Sequence, residues 1–268
     1  MSRSGSASSP YRFDRAIVRT PARSVVDGLR AGARCSPTYD GVRAEHQAYV
    51  AALEAAGVAV TILPALEAFP DSTFVEDPAL VFPEGAILLR PGAPSRANEV
   101  QEIAPALREL FETVITLQSG VADGGDVLVT PGSLMIGLSS RTDQTGAEAL
   151  IACLAEFGHE ARIVETPNEV LHFKTACSLL DEETIFCTPK LAETGVFARF
   201  KLVVTPNGEE AAANALRIND VVLVGSGFPK TIELLASLGY KVVPVPSSEI
   251  GKIDAGLSCM SLRWQTLG

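Results

Sequence analysis

Basic residues are in deficit in this chain: 22 Lys and Arg stand against 32 Asp and Glu, a formal net charge of −10. Nucleic acids are held by clustered Lys and Arg, so this balance argues against such a partner. Long apolar runs are missing too. The longest candidate, YVAALEAAGVAVTILPALEAF, is broken by Glu54, Pro64 and Glu67, and no membrane span or membrane partner is expected. Neither GxGxxG nor a Walker-type GxxxxGK motif stands at a strand-to-helix turn, which leaves nucleotide binding without support. Five cysteines (35, 153, 177, 187 and 259) form no CxxC pair, and His46, His159 and His172 stand apart. Metal-ligand spacing is therefore absent, and neither metal nor cofactor is expected. An odd, scattered set of cysteines behind an N-terminus without an apolar signal region reads as free thiols in a reducing cytoplasm.

What is present is ordinary globular composition, 47% hydrophobic and 20% charged, arranged with a repeat. AILLRPG (86–92) leads to NEVQEIAPALRELFE and then VITL. SLMIGLSS (133–140) leads to QTGAEALIACLAEFG and then ARIVE. VVLVGSG (221–227) leads to KTIELLASLG and then KVVPVP. Each strand-like run precedes a window with apolar residues at i, i+3, i+4 and i+7, and a second strand follows. TIFCTPK to KLVVTP is a shorter copy, and RAIVRT through EHQAYVAALEAAG to VAVTIL is another. Five such units point to a pseudo-symmetric array in one α/β domain, residues 15–268, behind a flexible N-terminal tail, residues 1–14. Sequence does not encode strand order, so an ordinary doubly wound sheet is the default architecture.

Four polar clusters interrupt the apolar strand ends. PDSTFVEDPALVF places Asp71, Glu76 and Asp77 beside a strand, where buried acids need a cation or water. VADGGDVLVT flanks two glycines with Asp123 and Asp126, a pattern that also suits a hairpin turn. Arg96 and Arg141 each follow a strand and precede a helix, a place suited to bidentate capture of a carboxylate. EVLHFKTACSLL sets His172 between apolar neighbours. A Cys and a His distant in sequence, such as Cys259 and His172, can supply a nucleophile and a proton shuttle. Carboxylates for a planar cation and arginines for a carboxylate together describe a site for an arginine-like amino acid.

FVEDPALVF, RPGAPSR, DGGDVL, GLSSRTDQTGAE, LHFK and DAGLSC occur in this order. Together they resemble the dimethylarginine dimethylaminohydrolase family of the guanidine-modifying superfamily, over most of the chain from about residue 15. The resemblance implies a pentein fold, a five-bladed α/β propeller with pseudo-fivefold symmetry. It implies Cys259 as nucleophile, His172 as general acid and base, and Asp123 orienting the substrate and the imidazole. Asp71, Glu76 and Asp77 would contact the substrate, Asp77 at the guanidinium, and Arg96 and Arg141 would bind its α-carboxylate. The main chain of Ile253, with Asp254 beside it, and of Leu29 in an N-terminal lid would receive the α-amino group. Phe74 would pack on the alkyl chain. The implied reaction hydrolyses methylated arginine to citrulline and an alkylamine through an S-alkylthiouronium, with a small-molecule substrate as partner and a homodimer as one allowed assembly. Two alternatives stay open: a deiminase-type hydrolase of arginine or another guanidino compound, and a catalytically silent amino-acid-binding protein.

Overall fold

A computed structural model describes residues 9–30 and 35–267. Fifteen strands are described: β1 (Arg15–Arg19), β2 (Ala59–Leu63), β3 (Ala79–Phe82), β4 (Gly85–Leu88), β5 (Val114–Thr116), β6 (Val127–Thr130), β7 (Ser133–Leu138), β8 (Ala161–Glu165), β9 (Cys177–Leu179), β10 (Thr184–Cys187), β11 (Lys201–Val204), β12 (Leu216–Ile218), β13 (Val221–Gly225), β14 (Val242–Val245) and β15 (Leu262–Trp264). Five α-helices accompany them: α1 (Tyr39–Ala55), α2 (Glu99–Leu110), α3 (Gln144–Glu156), α4 (Pro189–Glu193) and α5 (Pro229–Ser237). The strands form five separate three-stranded sheets, ordered β15-β1-β2, β3-β4-β5, β6-β7-β8, β9-β10-β11 and β12-β13-β14. In each, an antiparallel pair is followed by a helical crossover to a parallel third strand. This is the five-bladed α/β propeller, and it replaces the doubly wound sheet.

Local chemistry explains the pieces. Thr38 caps α1 by accepting the Gly41 N–H, Asp143 caps α3 through Gly146, and Thr188 caps α4 through Leu191. Pro189 and Pro229 open their helices, where a missing N–H costs nothing. Between β6 and β7 the turn is Pro131-Gly132, and Gly132 takes φ 82°, the conformation a type II turn asks of glycine. DGGD is therefore no hairpin turn. It forms a single 3₁₀ turn, Gly124–Asp126, leading into β6.

The first strand of each hairpin faces inward, and residues from all five hairpins line a central cavity of about 630 Å³. Third strands lie outside and are the most exposed. The C-terminal strand β15 completes the sheet begun by β1, pairing Arg15 with Trp264 and Ile17 with Leu262. Trp264 joins the core of Ile17, Leu88, Ile103 and Leu107, with its ring 5.0 Å from that of Phe111. Of the expected tail, residues 1–8 lie outside the described residues. Residues 9–14 are tied down, Phe13 giving and receiving hydrogen bonds with the Asn219 side chain and Asp14 N–H donating to the Trp264 carbonyl.

Because closure of the ring rests on β15, Trp264→Ala should lower unfolding free energy in urea by about 3–5 kcal/mol. A loss under about 1 kcal/mol would show that the ring closes without this anchor.

Candidate active site

Cys259 sits in the 3₁₀ turn Ser258–Met260 at the entrance to β15, nearly buried. Its carbonyl accepts the Glu76 N–H at 3.2 Å, locking the turn to the FVED segment. A small cavity, about 30 Å³, is lined by Leu29, Asp71, Phe74, Asp77, Arg96, Arg141, Leu171, His172, Ile253, Asp254, Ala255 and Cys259. Ten residues expected from sequence thus converge on one space. It shares no lining residue with the central cavity.

DGGD organises this space. Asp123, wholly buried, holds His172 Nε2 at 2.9 Å through one oxygen and accepts the Gly92 N–H at 2.8 Å through the other. Gly124 N–H donates to the Asp77 carbonyl, and Gly125 N–H to Asp77 Oδ1 at 3.1 Å. A Cβ on Gly125 would lie 2.8 Å from both Asp77 Oδ1 and the His172 ring, so only glycine fits beneath the imidazole. Asp123 stands behind His172 and outside the cavity. The structure gives it the imidazole contact and no contact with the substrate space.

One expectation is corrected. Glu76 points away from the cavity, accepting from Ser258 Oγ at 2.9 Å and pairing with Lys174 at 2.7 Å and Arg263 at 3.0 Å. The segment is a turn here, and it sends the Asp77 side chain to the small cavity and the Glu76 side chain to the central one. Arg96 lines the cavity, and its guanidinium already donates to Asp77, to both oxygens of Glu99 and to the carbonyls of Asp71 and Phe74. It neutralises Asp77, and Nη1 makes a single bond among the described residues. Arg141 differs, since its guanidinium has no hydrogen bond or ion pair among the described residues. Leu29 N–H donates to Asp71 Oδ1 at 2.9 Å.

Sequence reasoning missed Leu171 and Ala255 as cavity walls, and Glu99 and Lys174 as counterions. Lys174 stood in the quoted LHFK, and Glu99 lay three residues beyond Arg96. The other cysteines stay structural or exposed: Cys153, Cys177 and Cys187 are buried, and Cys35 is exposed.

Electrostatics set the resting protonation. Burial disfavours a charged His172, yet Asp77, the hydrogen bond to Asp123 and Asp126 override it and push its pKa up to about 9. Burial likewise opposes ionisation of Asp77, but His172 and Arg96 hold its carboxyl below the usual range. For Cys259, burial and then the charges of Glu76 and Asp77 push the thiol up to about 12. At neutral pH the empty site is thus imidazolium, carboxylate and thiol. Asp77, Asp123 and His172 could together present ligand atoms to a metal ion, but the hydrogen bonds above already satisfy them.

Relatives share the fold. The sequence model of the arginine deiminase family matches residues 65–222. The N(G),N(G)-dimethylarginine dimethylaminohydrolase of Pseudomonas aeruginosa is 38% identical over 94% of this chain and 100% of its own. The enzyme of that name from Streptomyces coelicolor is 33% identical over 94% of this chain and 98% of its own. The solved Pseudomonas aeruginosa structure, a cysteine-to-serine variant complexed with citrulline, aligns with a TM-score of 0.91 over 94% of this chain and all of that one. A histidine-to-glycine variant of a dimethylarginine dimethylaminohydrolase, an adduct with S-methyl-L-thiocitrulline, aligns at 0.90, over 94% of this chain and 99% of that one. The N-terminal domain of a cyanobacterial arginine dihydrolase shares the fold at 0.82 with 18% identity, over 94% of this chain and 98% of that one.

With the thiol raised to about 12, the thiolate fraction of the empty site is small at pH 7 and grows about tenfold per pH unit. Iodoacetamide should therefore alkylate Cys259 slowly at neutral pH, and faster at each step up to pH 10. A plateau below pH 8 would mean that the thiolate is already formed. Gly125→Ala should leave the fold intact in circular dichroism and cut turnover at least about 10²-fold, by displacing His172 or Asp77.

Proposed function

The chain belongs to the dimethylarginine dimethylaminohydrolase family, within the wider arginine deiminase family, and we propose that it hydrolyses Nω-methylated arginine to citrulline and methylamine or dimethylamine. The observation that carries this reading is the convergence of Cys259, His172 and Asp77 on one cavity that is also lined by Arg141, whose guanidinium has no partner among the described residues. The α-carboxylate pairs with Arg141, and the α-amino group meets Asp71 and the carbonyls of Leu29 and Ile253. Phe74 lies along the alkyl chain, and Asp77 receives the guanidinium. A cavity of about 30 Å³ holds little more than one water, so the wall bearing Leu29 moves aside to admit substrate.

Chemistry then follows from the charges. The entering guanidinium is a cation beside a thiol that burial and two carboxylates have kept neutral. Its positive charge lowers the thiol pKa, and the thiol proton passes to solvent. The thiolate adds to the guanidinium carbon, and the adduct's nitrogens are held by Asp77. His172, charged at rest, gives its proton to the departing amine as the C–N bond breaks, because a free amide anion of dimethylamine would be too basic to leave. The imidazole, now neutral and held by Asp123, takes a proton from water. That water attacks the S-alkylthiouronium carbon, the C–S bond breaks, and citrulline forms with the cysteine regenerated. We further propose that residues 15–268 act as one catalytic unit in the cytoplasm, where the thiols stay reduced. Among the described residues no helix is long and apolar enough to cross a membrane.

The test is citrulline release from asymmetric dimethylarginine and from arginine in parallel. Dimethylamine and citrulline from the methylated substrate are expected, with little from arginine. Cys259→Ser should abolish turnover while keeping substrate binding, and His172→Ala should lose at least about 10²–10⁴-fold. His172→Ala activity within about tenfold of wild type would remove its acid–base role. Ammonia from arginine as the main product would instead make the enzyme a deiminase on the same scaffold. Silence with both substrates would leave a binding protein.

A further inference from the structure

Asp126, the last residue of DGGD, lines neither cavity and is completely buried. A carboxylate in such a place destabilises unless it is fully hydrogen-bonded, so its partners indicate what it does. Oδ1 accepts the Phe173 N–H at 2.8 Å, the residue immediately after His172. Oδ2 accepts from Ser139 Oγ at 2.7 Å and Thr142 Oγ1 at 2.6 Å. Ser139 Oγ in turn accepts the Arg141 N–H at 2.9 Å and the Thr142 N–H at 3.3 Å. Thr142 Oγ1 accepts the Asp123 N–H at 3.1 Å.

We propose that Asp126 is a positioning residue that couples the Arg141 loop, which grips the substrate's α-carboxylate, to the segment carrying the acid–base histidine. The proposal rests on the functional reading given above. The carboxylate is planar and rigid, so its two oxygens cannot move independently. The loop Ser139–Thr142 hangs from one oxygen, and the His172–Phe173 segment hangs from the other. A carboxylate bound at Arg141 pulls on that loop, and the pull reaches His172 through one side chain. The link also extends to the third catalytic group, since Thr142 anchors the Asp123 backbone. Binding at the distal end of the substrate is thereby used to set the imidazole at the reacting end, the kind of remote interaction that raises kcat as well as affinity.

The test compares wild type, Asp126→Asn and Ser139→Ala on asymmetric dimethylarginine and on its decarboxylated analogue, dimethylagmatine, with thermal unfolding of each protein as control. Wild-type turnover of dimethylarginine decides the functional reading by itself. Asp126→Asn should lose about 10²-fold in kcat/KM on dimethylarginine, with KM raised and kcat lowered together. On dimethylagmatine, which has nothing for Arg141 to grip, the same variant should show a reduced kcat and an unchanged KM. Ser139→Ala cuts only the loop arm. It should raise KM for dimethylarginine about tenfold, lower kcat on it as well, and behave as wild type on dimethylagmatine. Equal KM penalties on both substrates, or an unchanged kcat for Ser139→Ala on dimethylarginine, would overturn the coupling. If Asp126→Asn does not fold, Ser139→Ala decides alone. If arginine proves to be the substrate, arginine and agmatine read the same two arms. Silence on every compound would overturn both the function and the coupling.

Discussion

Asp77 can remain ionised in a dry core only if cations come to it, and much of the site is arranged around that need. Arg96 arrives from the turn before α2 and His172 from the turn before β9, while Gly125 offers a backbone N–H to the same carboxylate. An ion pair buried alone gains little over an apolar core, because desolvation consumes most of the attraction. The arrangement is instead suited to a third cation. A carboxylate already preorganised at the guanidinium position does not have to reorient when substrate enters, and in a water-excluded site that preorganisation is the largest source of transition-state stabilisation.

The fold supplies this convergence at low cost because each blade ends in the same way. The turn after the second strand, before the helix, opens toward one end of the ring, and successive blades deliver Arg96 and Arg141 from equivalent turns. The turns that precede the inner strands β6, β9 and β15 deliver Asp123, His172 and Cys259. Adjacent residues then divide between two spaces. Asp77 and Cys259 face the small cavity, whereas Glu76 and Ser258 face the central one. Lys174 and Arg263 hold Glu76 beneath that partition, so the wall behind the nucleophile is an ionic layer.

Much of this was legible in sequence, and the failures have local causes. The helix-bearing half of each blade was readable because strands β4, β7 and β13 are continuous apolar runs and their helices carry a 3.6-residue period. The inner strands β9, β12 and β15 were not, because CSL, LRI and LRW are three residues long and too short to show alternation. Separation into five sheets came only through the family resemblance, since pairing between distant strands leaves no local mark. Cys259, His172, Asp77 and Arg141 could be named by residue type within motifs. Which of Glu76 and Asp77 turns inward could not, because they are adjacent acids in an irregular turn with no periodicity to orient them. The difference between Arg96 and Arg141 did have a sign. SRANE places Glu99 three residues after Arg96, where its helical position captures the guanidinium, whereas SRTDQ places Gln144 at that offset from Arg141.

The same carboxylates that attract the substrate also disarm the nucleophile. Glu76 and Asp77, with burial, keep Cys259 protonated in the empty site. A resting thiolate would be open to oxidation and to any electrophile that enters. A thiol ionised only beside a bound cation restricts reactivity to guanidinium compounds. Citrulline, neutral and isosteric at the reacting carbon, lacks the charge that lowers the thiol pKa, so the product cannot activate the residue that made it. Arg96 completes this logic by shielding one face of Asp77. Without it, Asp77 would rest on His172 and the Gly125 N–H alone, its charged form would be less favoured in the buried site, and its hold on the guanidinium would weaken.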